Sequence, residues 1–239
     1  MAIYKNTPPI VTNGLVMHLD AGSRQSYTSG STTWNDLSGN SRNITLTRSG
    51  SAGSFPTFNN TNQGIITFDG TGSYGSGSAI TGLGSSDRTI NIWVRVDTLK
   101  STGGNARVFT LAADEGTTDT TPYVFTFSST SPTGNVGFGG TPYNGYITLT
   151  LTTGSWWNLC TTITSTKTIT AYQNGVRYSS VTSTGLVAAD PIPEIARNNN
   201  NFGQYCPANI GVIQIYNRVL SDQEIAQNYN TLKSRFGLT

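Results

Sequence analysis

Between Thr89 and Val96 the chain alternates without a break: Ile90, Ile92, Val94 and Val96 fall on one side, and Thr89, Asn91, Trp93 and Arg95 on the other. A period of two belongs to a β-strand, and a face so uniformly branched and apolar has to be buried. Shorter runs of the same kind stand at 14–20, 64–69, 107–112, 123–127, 146–151, 156–163, 168–173, 176–181 and 211–216. They are separated by clusters of Gly, Ser, Thr and Asn, the residues that form turns. The pair Asn174-Gly175, set between the runs around Tyr172 and Tyr178, predicts a two-residue type I′ hairpin, because both of its central positions need positive φ.

Only the C-terminus has a helical pattern. Ser221 followed by Glu224 forms a capping box, Leu220 and Ile225 are spaced as a hydrophobic staple, and Ile225, Tyr229, Leu232 and Phe236 continue an apolar stripe that Gly237 ends. This helix is expected to pack on the sheets. Residues 70–84 have room for one short strand.

Many strands closed by one helix predict an all-β, two-sheet antiparallel jelly-roll sandwich. A chain of 239 residues suits one such domain, over 14–239, preceded by an N-terminal arm or edge strand over 1–13. Lys and Arg number 14 against 12 Asp and Glu and are scattered singly, which argues against nucleic acid as a partner. Residues 1–12 lack the apolar core and cleavage site of a signal peptide, so export by that route is not expected. No apolar run approaches the roughly eighteen residues of a membrane span, and no membrane insertion is expected. Cys160 and Cys206 are expected as free thiols, with a bridge between them left open.

Three stretches carry a family resemblance. The opening Gly14–Gly22 (GLVMHLDAG) is followed by Tyr27 and by Thr33–Asn40 (TWNDLSGN). The middle has Phe68-Asp69-Gly70, Trp157-Asn158-Leu159 and Tyr172–Gly175, and the end has Ile215–Ser221, Glu224-Ile225, Asn228-Tyr229-Asn230 and Arg235-Phe236-Gly237. In this order they resemble a concanavalin A-like, laminin-G-type jelly roll, and the combination is similar to domains common in virion structural proteins of tailed bacteriophages. The resemblance implies a virion protein made in the host cytoplasm. It would be a capsid decoration or a fibre- or tail-associated subunit acting through contacts with other virion proteins, with homo-oligomerisation open.

Catalysis is not expected. Glycosidases of this fold class need two carboxylates facing one cleft, and Glu115, Glu194 and Glu224 have no partner carboxylate at i+2 or i+4 on a readable strand. The single His18 reads as a strand residue, and one histidine cannot make a two-histidine metal site. The family resemblance suggests Ca²⁺ at a sheet rim, with Asp36 and Asn40 as ligands and Asp20 or Asp69 beside them; the same residues are also ordinary turn formers. For an alternative role as an adhesion module recognising host-surface glycans, Tyr74, Tyr143, Tyr146 and Tyr205 are the candidate stacking rings, with structural roles open for each. Trp34, Trp93, Trp156 and Trp157 read as packing residues. In the segment before the first strand, Ile3, Tyr4, Ile10 and Val11 flank Pro8-Pro9. They predict either an arm that orders on a partner or an edge strand of the same domain.

Overall fold

The structure is a computed structural model and describes residues 8–50, 53–84, 86–99, 106–112, 123–127, 133–138, 145–183, 190–197 and 204–239. Among these residues the strands form two antiparallel sheets. The first runs β14 (Val176–Thr182), β13 (Thr168–Gln173), β12 (Trp156–Ile163), β7 (Arg88–Arg95), β16 (Asn209–Tyr216), β5 (Ile65–Thr67) and β4 (Thr57–Asn59), with β1 (Leu15–Asp20) also paired to β16. The second runs β11 (Gly145–Thr150), β10 (Thr133–Phe138), β9 (Tyr123–Phe127), β8 (Ala106–Ala112), β15 (Ile192–Ile195), β6 (Ser73–Ser76), β3 (Ile44–Arg48) and β2 (Thr33–Trp34). One helix, α1 (Asp222–Leu232), follows β16 and leads into a 3-10 turn at Lys233–Phe236. This is the jelly-roll sandwich expected from the alternation.

The main core lies between the sheets. Met17, Ile90, Ile92, Val94 and Ile213 of the first sheet meet Trp34, Ile44, Leu46, Phe109 and Ile195 of the second. The alternation in β7 predicts one buried face; the structure buries both. The polar-looking side is covered by α1 and the 3-10 turn, where Phe236 stacks on Trp93 with ring centroids 4.4 Å apart, and Tyr229 stacks on the same indole. The centre of the first sheet, at β7 and β16, is therefore closed on both faces, in the manner of a sheet roofed by a helix. Under that roof the amide of Asn158 donates to Asn91 and that of Asn91 to Gln214, each at 2.8 Å.

The helix starts where the sequence places it. Ser221 and Glu224 form the reciprocal capping box, Leu220 and Ile225 are both buried, and Gly237 adopts the left-handed conformation that ends the chain's last turn. Asn174 and Gly175 both have positive φ and close the β13–β14 hairpin. Both cysteines are buried, and no disulfide joins them.

The N-terminal segment corrects an expectation. Residues 8–12 neither pair as an edge strand nor stand away from the domain. They are clasped to α1: Val11 N–H donates to Asn228 Oδ1 at 2.8 Å, the Tyr216 hydroxyl donates to the Val11 carbonyl at 3.0 Å, and Gln227 and Thr231 donate to the carbonyls of Pro9 and Pro8. Val11 is buried beside Tyr172, Tyr216 and Ile225, and Ile10 is half-buried, so Val11 is a core residue of its own chain and not a contact held for another protein. Ile3 and Tyr4 lie outside the described residues.

Candidate functional site

The outer face of the second sheet carries a polar and aromatic cluster. Gly75 points into the core, where an added Cβ would lie 2.8 Å from Ile44 and 3.3 Å from Ile195. Its neighbours Tyr74 and Ser76 therefore project outward, as the pleat requires. Register places Ser76 opposite Glu194 on β15, and Glu194 opposite Thr110 on β8. Immediately after β15, Ala196 takes a left-handed backbone (φ 59°) that turns the chain, and Arg197 comes back over the sheet. Its Nε donates to Glu194 Oε2 at 2.6 Å, and its guanidinium stacks on the Tyr74 ring, 3.5 Å from the centroid. Burial works against the Arg197 charge, but the Glu194 carboxylate outweighs it and holds the guanidinium above its ordinary pKa. Glu194, with no exposed surface, also accepts from the Ser76 hydroxyl at 2.5 Å.

Tyr205 completes the patch. The segment around it is fixed by Arg107, whose backbone N–H donates to the Gln204 carbonyl and whose Nε donates to Gln204 Oε1 at 2.8 Å, and by Cys206 N–H donating to Ala196 O. The rings of Tyr74 and Tyr205 stand 6.4 Å apart, tilted by 45°, and both are half-buried. Two rings, a braced guanidinium and a serine hydroxyl thus come together over one face of the second sheet. A saccharide with an apolar ring face and a fringe of hydroxyls is the kind of ligand such a surface can hold.

The other predicted tyrosines do not join it. Tyr146 is exposed on β11, on the same outer face, but five strands away, roughly 24 Å at about 4.8 Å per strand. Tyr143 lies outside the described residues, as does Glu115. Glu194 and Arg197 were not expected as site residues. Pro191 and Pro193 hide β15 from a reading based on alternation, and the i, i+3 spacing of Glu194 and Arg197 is the one local signal that joins them.

The candidate calcium ligands each take part in holding a loop. Asp36 accepts from the backbone N–H groups of His18, Ser38 and Arg42 and from the Ser38 hydroxyl. Asp69 accepts from the backbone of Ser54, Thr71, Gly72 and Ser73 and from the Ser73 hydroxyl. Asp20 is paired to Arg235 at 2.7 Å and accepts from Gly22 N–H, while Asn40 turns its amide nitrogen to Val16 O and Ser38 Oγ. On Asp36 both oxygens are taken up by donors, and on Asp69 Oδ1 is, so these two are poor sites for Ca²⁺, whereas the contacts of the Asp20 carboxylate fall on Oδ1 and Asn40 only donates. They organise loops, and no group of three or more His, Cys, Asp or Glu suited to a metal occurs among the described residues. The imidazole of His18 is held below its ordinary pKa by burial, against the opposing pull of Asp20 and Asp36.

Comparison with known proteins follows this geometry. Residues 68–226, more than half of the chain, match the laminin-G-type family model of the concanavalin A-like lectin/glucanases superfamily. Comparison with curated protein sequences finds no match. Among solved structures, the chain is similar to Trypanosoma rangeli sialidase in complex with sialic acid, with a TM-score of 0.63, 13% identity, and 95% of this chain covering 34% of that one. It is similar to the binding domain of Paraclostridial Mosquitocidal Protein 1, with a TM-score of 0.67, 15% identity, and 95% of this chain covering 56% of the other. A third is the binding domain of Botulinum Neurotoxin DC in complex with SialylT, with a TM-score of 0.66, 11% identity, and 92% of this chain covering 52% of that domain. The chain thus spans about a third of the sialidase and about half of each toxin domain. At these identities the likeness is one of fold.

Proposed function

The chain belongs to the concanavalin A-like lectin/glucanases superfamily, and from that premise we propose that it is a non-catalytic carbohydrate-binding module whose binding surface is the outer face carrying Tyr74. The observation that carries this reading is the convergence of Tyr74 and Tyr205, far apart in sequence, at 6.4 Å around the Arg197 guanidinium. Stacking rings backed by a fixed hydrogen-bonding group are what sugar recognition requires; strand β6 holds Tyr74, and contacts from Arg107 and Ala196 hold the segment around Tyr205. Two proteins of similar fold were solved with glycan ligands, sialic acid in the sialidase and SialylT in the neurotoxin domain. This agrees with the reading without fixing the sugar. The state of Glu194 supports the non-catalytic reading: a buried carboxylate committed to Arg197 and Ser76 is poorly placed to act as nucleophile or acid.

A glycan array probed with the wild-type protein and with Tyr74→Ala and Tyr205→Ala tests the proposal. Binding to at least one glycan class, lost by tenfold or more in either variant with the melting temperature retained, supports it. Failure to bind any glycan, or binding indifferent to both substitutions, overturns it. Placement of the module on a bacteriophage particle, attached to other virion proteins and directed at host-surface glycans, is proposed on the sequence resemblance; electron microscopy of particles labelled with antibody to this chain tests it.

A further inference from the structure

The open edge of the sandwich, between β4 of the first sheet and β2 of the second, holds a cleft with two lobes. One lobe, of about 440 Å³, is walled by Tyr27, Phe55, Pro56 and Phe58 over Leu46, with the residues Ser29 to Thr32 along its rim. The other, of about 610 Å³, is polar and is bounded by Arg24, Thr28, Asn60 and Gln63. Tyr27, Ser29 and Phe58 line both, so the lobes are continuous. The Tyr27 and Phe58 rings meet at 5.4 Å between them, and Phe55 is half exposed with the Arg48 guanidinium over its ring.

Three features mark this cleft as a built site. First, Arg24, Asn60 and Gln63 line the polar lobe, are exposed, and have side chains that make no hydrogen bond or ion pair with the rest of the described chain. Second, Asn62 and Gln63 are consecutive non-glycine residues in the left-handed region (φ 52° and 62°), a strained arrangement that persists only when its surroundings enforce it. Third, the enforcement is visible. Arg235 donates to the carbonyls of Asn62 and Gly64 at 2.7 and 2.8 Å and is itself paired to Asp20; the Asn62 amide donates back to Arg235 O, and Trp156 Nε1 donates to Asn62 Oδ1. Gly22 and Gly64 permit this approach, since an added Cβ at either would fall 2.7 Å or less from Arg235 Nη2 or Ala21 O. The opening motif ending Asp20-Ala21-Gly22 and the closing motif Arg235-Phe236-Gly237 therefore meet behind this wall, and what they hold in place is the turn that sets Gln63 in the lining of the cleft.

We propose that this cleft is a second saccharide-binding site, separate from the Tyr74 face, taking an oligosaccharide of two or more units. One unit lies with its apolar face on Phe58, Tyr27 and Phe55, and the next engages Arg24, Asn60 and Gln63 through its hydroxyls. The lining decides the ligand class. Both lobes have the volume of small-ligand sites, and amide and guanidinium forks suit vicinal hydroxyls. No carboxylate lines either lobe to receive a cation, and the wet, amide-rich second lobe is unsuited to an acyl chain. Occupation of both sites would let one module hold two glycan segments, with the gain in avidity that linkage brings.

The test is a titration of isotope-labelled full-length protein with cellotriose, chitotriose, maltotriose and 3′-sialyllactose, followed by amide and aromatic shift changes. The expected result is that at least one sugar perturbs the side-chain amides of Asn60 and Gln63 and the rings of Tyr27 and Phe58. Gln63→Gly should weaken that sugar tenfold or more while leaving the melting temperature equal or higher, because glycine accepts the left-handed backbone. Arg24→Ala should weaken it as well, and Tyr74→Ala should leave the cleft shifts unchanged. Perturbation confined to the Tyr74 and Tyr205 surroundings, undiminished binding by both cleft variants, or no perturbation by any of the four sugars overturns the proposal.

Discussion

The Phe236 ring fills the space that a side chain at Gly211 would occupy: a Cβ on residue 211 would lie 2.5 Å from the ring edge. Gly211 sits at the irregularity where β16 shifts register against β7, between Ile210 and Val212. The ring descends through that gap to stack on Trp93 at 4.4 Å and to meet Trp156 at 4.6 Å. A missing side chain in one strand thus seats the end of the chain, and the outer face of the first sheet becomes a second apolar layer with Ile65 and Val212.

Gly211→Ala is expected to destabilise the domain by about 1–3 kcal/mol, the range for overpacking a filled core. Phe236→Ala should cost about 3–5 kcal/mol through the lost aromatic burial. The two effects are coupled: with the ring gone, the added methyl has room, so the glycine substitution should cost little in the Phe236→Ala background. Denaturant unfolding of the four proteins in the cycle measures this, and fully additive costs would show that the ring does not occupy the gap.

The clasp of residues 8–11 on α1 gives a second expectation. Asn228 is buried, accepting from Val11 N–H and donating to the Tyr216 hydroxyl, which in turn donates to Val11 O. Asn228→Ala leaves the Val11 N–H buried without its acceptor and is expected to cost about 1–3 kcal/mol. Deleting residues 2–11 should destabilise the isolated domain by a comparable amount. A truncated protein that melts with the full-length one would return this segment to the role of an arm held for a partner.

The sequence made most strands, the I′ turn and the capping box legible because each is written locally, in two to eight consecutive residues. Strands β2, β3, β4, β10 and β15 escaped it, and β6 was legible only as room for one short strand in 70–84. They are short or rich in Gly, Ser and Pro, and take their conformation from the strands they pair with; Ile192–Ile195 pairs with β6 and β8 in spite of Pro193. Trp93 was readable as a packing residue, but not that its face would be roofed, since the roof is a helix more than a hundred residues later. The site shows the same division. Tyr74 and Tyr205 were recognisable as stacking candidates by type, whereas Arg197 becomes part of a surface only after Ala196 turns the chain. Asp36 and Asp69 are legible as turn residues and as calcium ligands alike, and only the donors gathered around each in the fold weigh toward the first.

That separation yields a third expectation. Melting curves recorded in excess chelator and in millimolar Ca²⁺ should coincide, because a cation at Asp36 or Asp69 would first have to displace four or more hydrogen-bond donors. A rise in melting temperature that Asp36→Asn abolishes would reinstate the site.

The fourth expectation concerns acid. Arg218 binds Glu224 through two nitrogens, and this pairing, against some opposing desolvation and with help from Ser221 N–H, holds the Glu224 carboxyl down to about 2. Burial pushes the Asp69 carboxyl up, but the backbone N–H groups of Ser73, Gly72, Thr71 and Ser54 together outweigh it and leave the group well below the usual carboxylate range. Both folded values lie under their unfolded ones, near 4, so the unfolded chain takes up protons first as pH falls. The stability these groups supply is therefore complete above about pH 5 and drains away as pH falls below about 4, through about 2 for Glu224. For Glu224, partly exposed to solvent, the contribution is about 1 kcal/mol after screening. Urea midpoints measured from pH 7 to pH 3 should fall at the acid end, and Glu224→Gln and Asp69→Asn should each start lower at pH 7 and show a shallower decline. Asp69→Asn should suffer the larger loss at neutral pH, because its amide nitrogen would either confront the Ser54 N–H or forfeit the three donors of the Thr71–Ser73 turn. A decline as steep in both variants as in the wild type would assign the acid sensitivity to other groups.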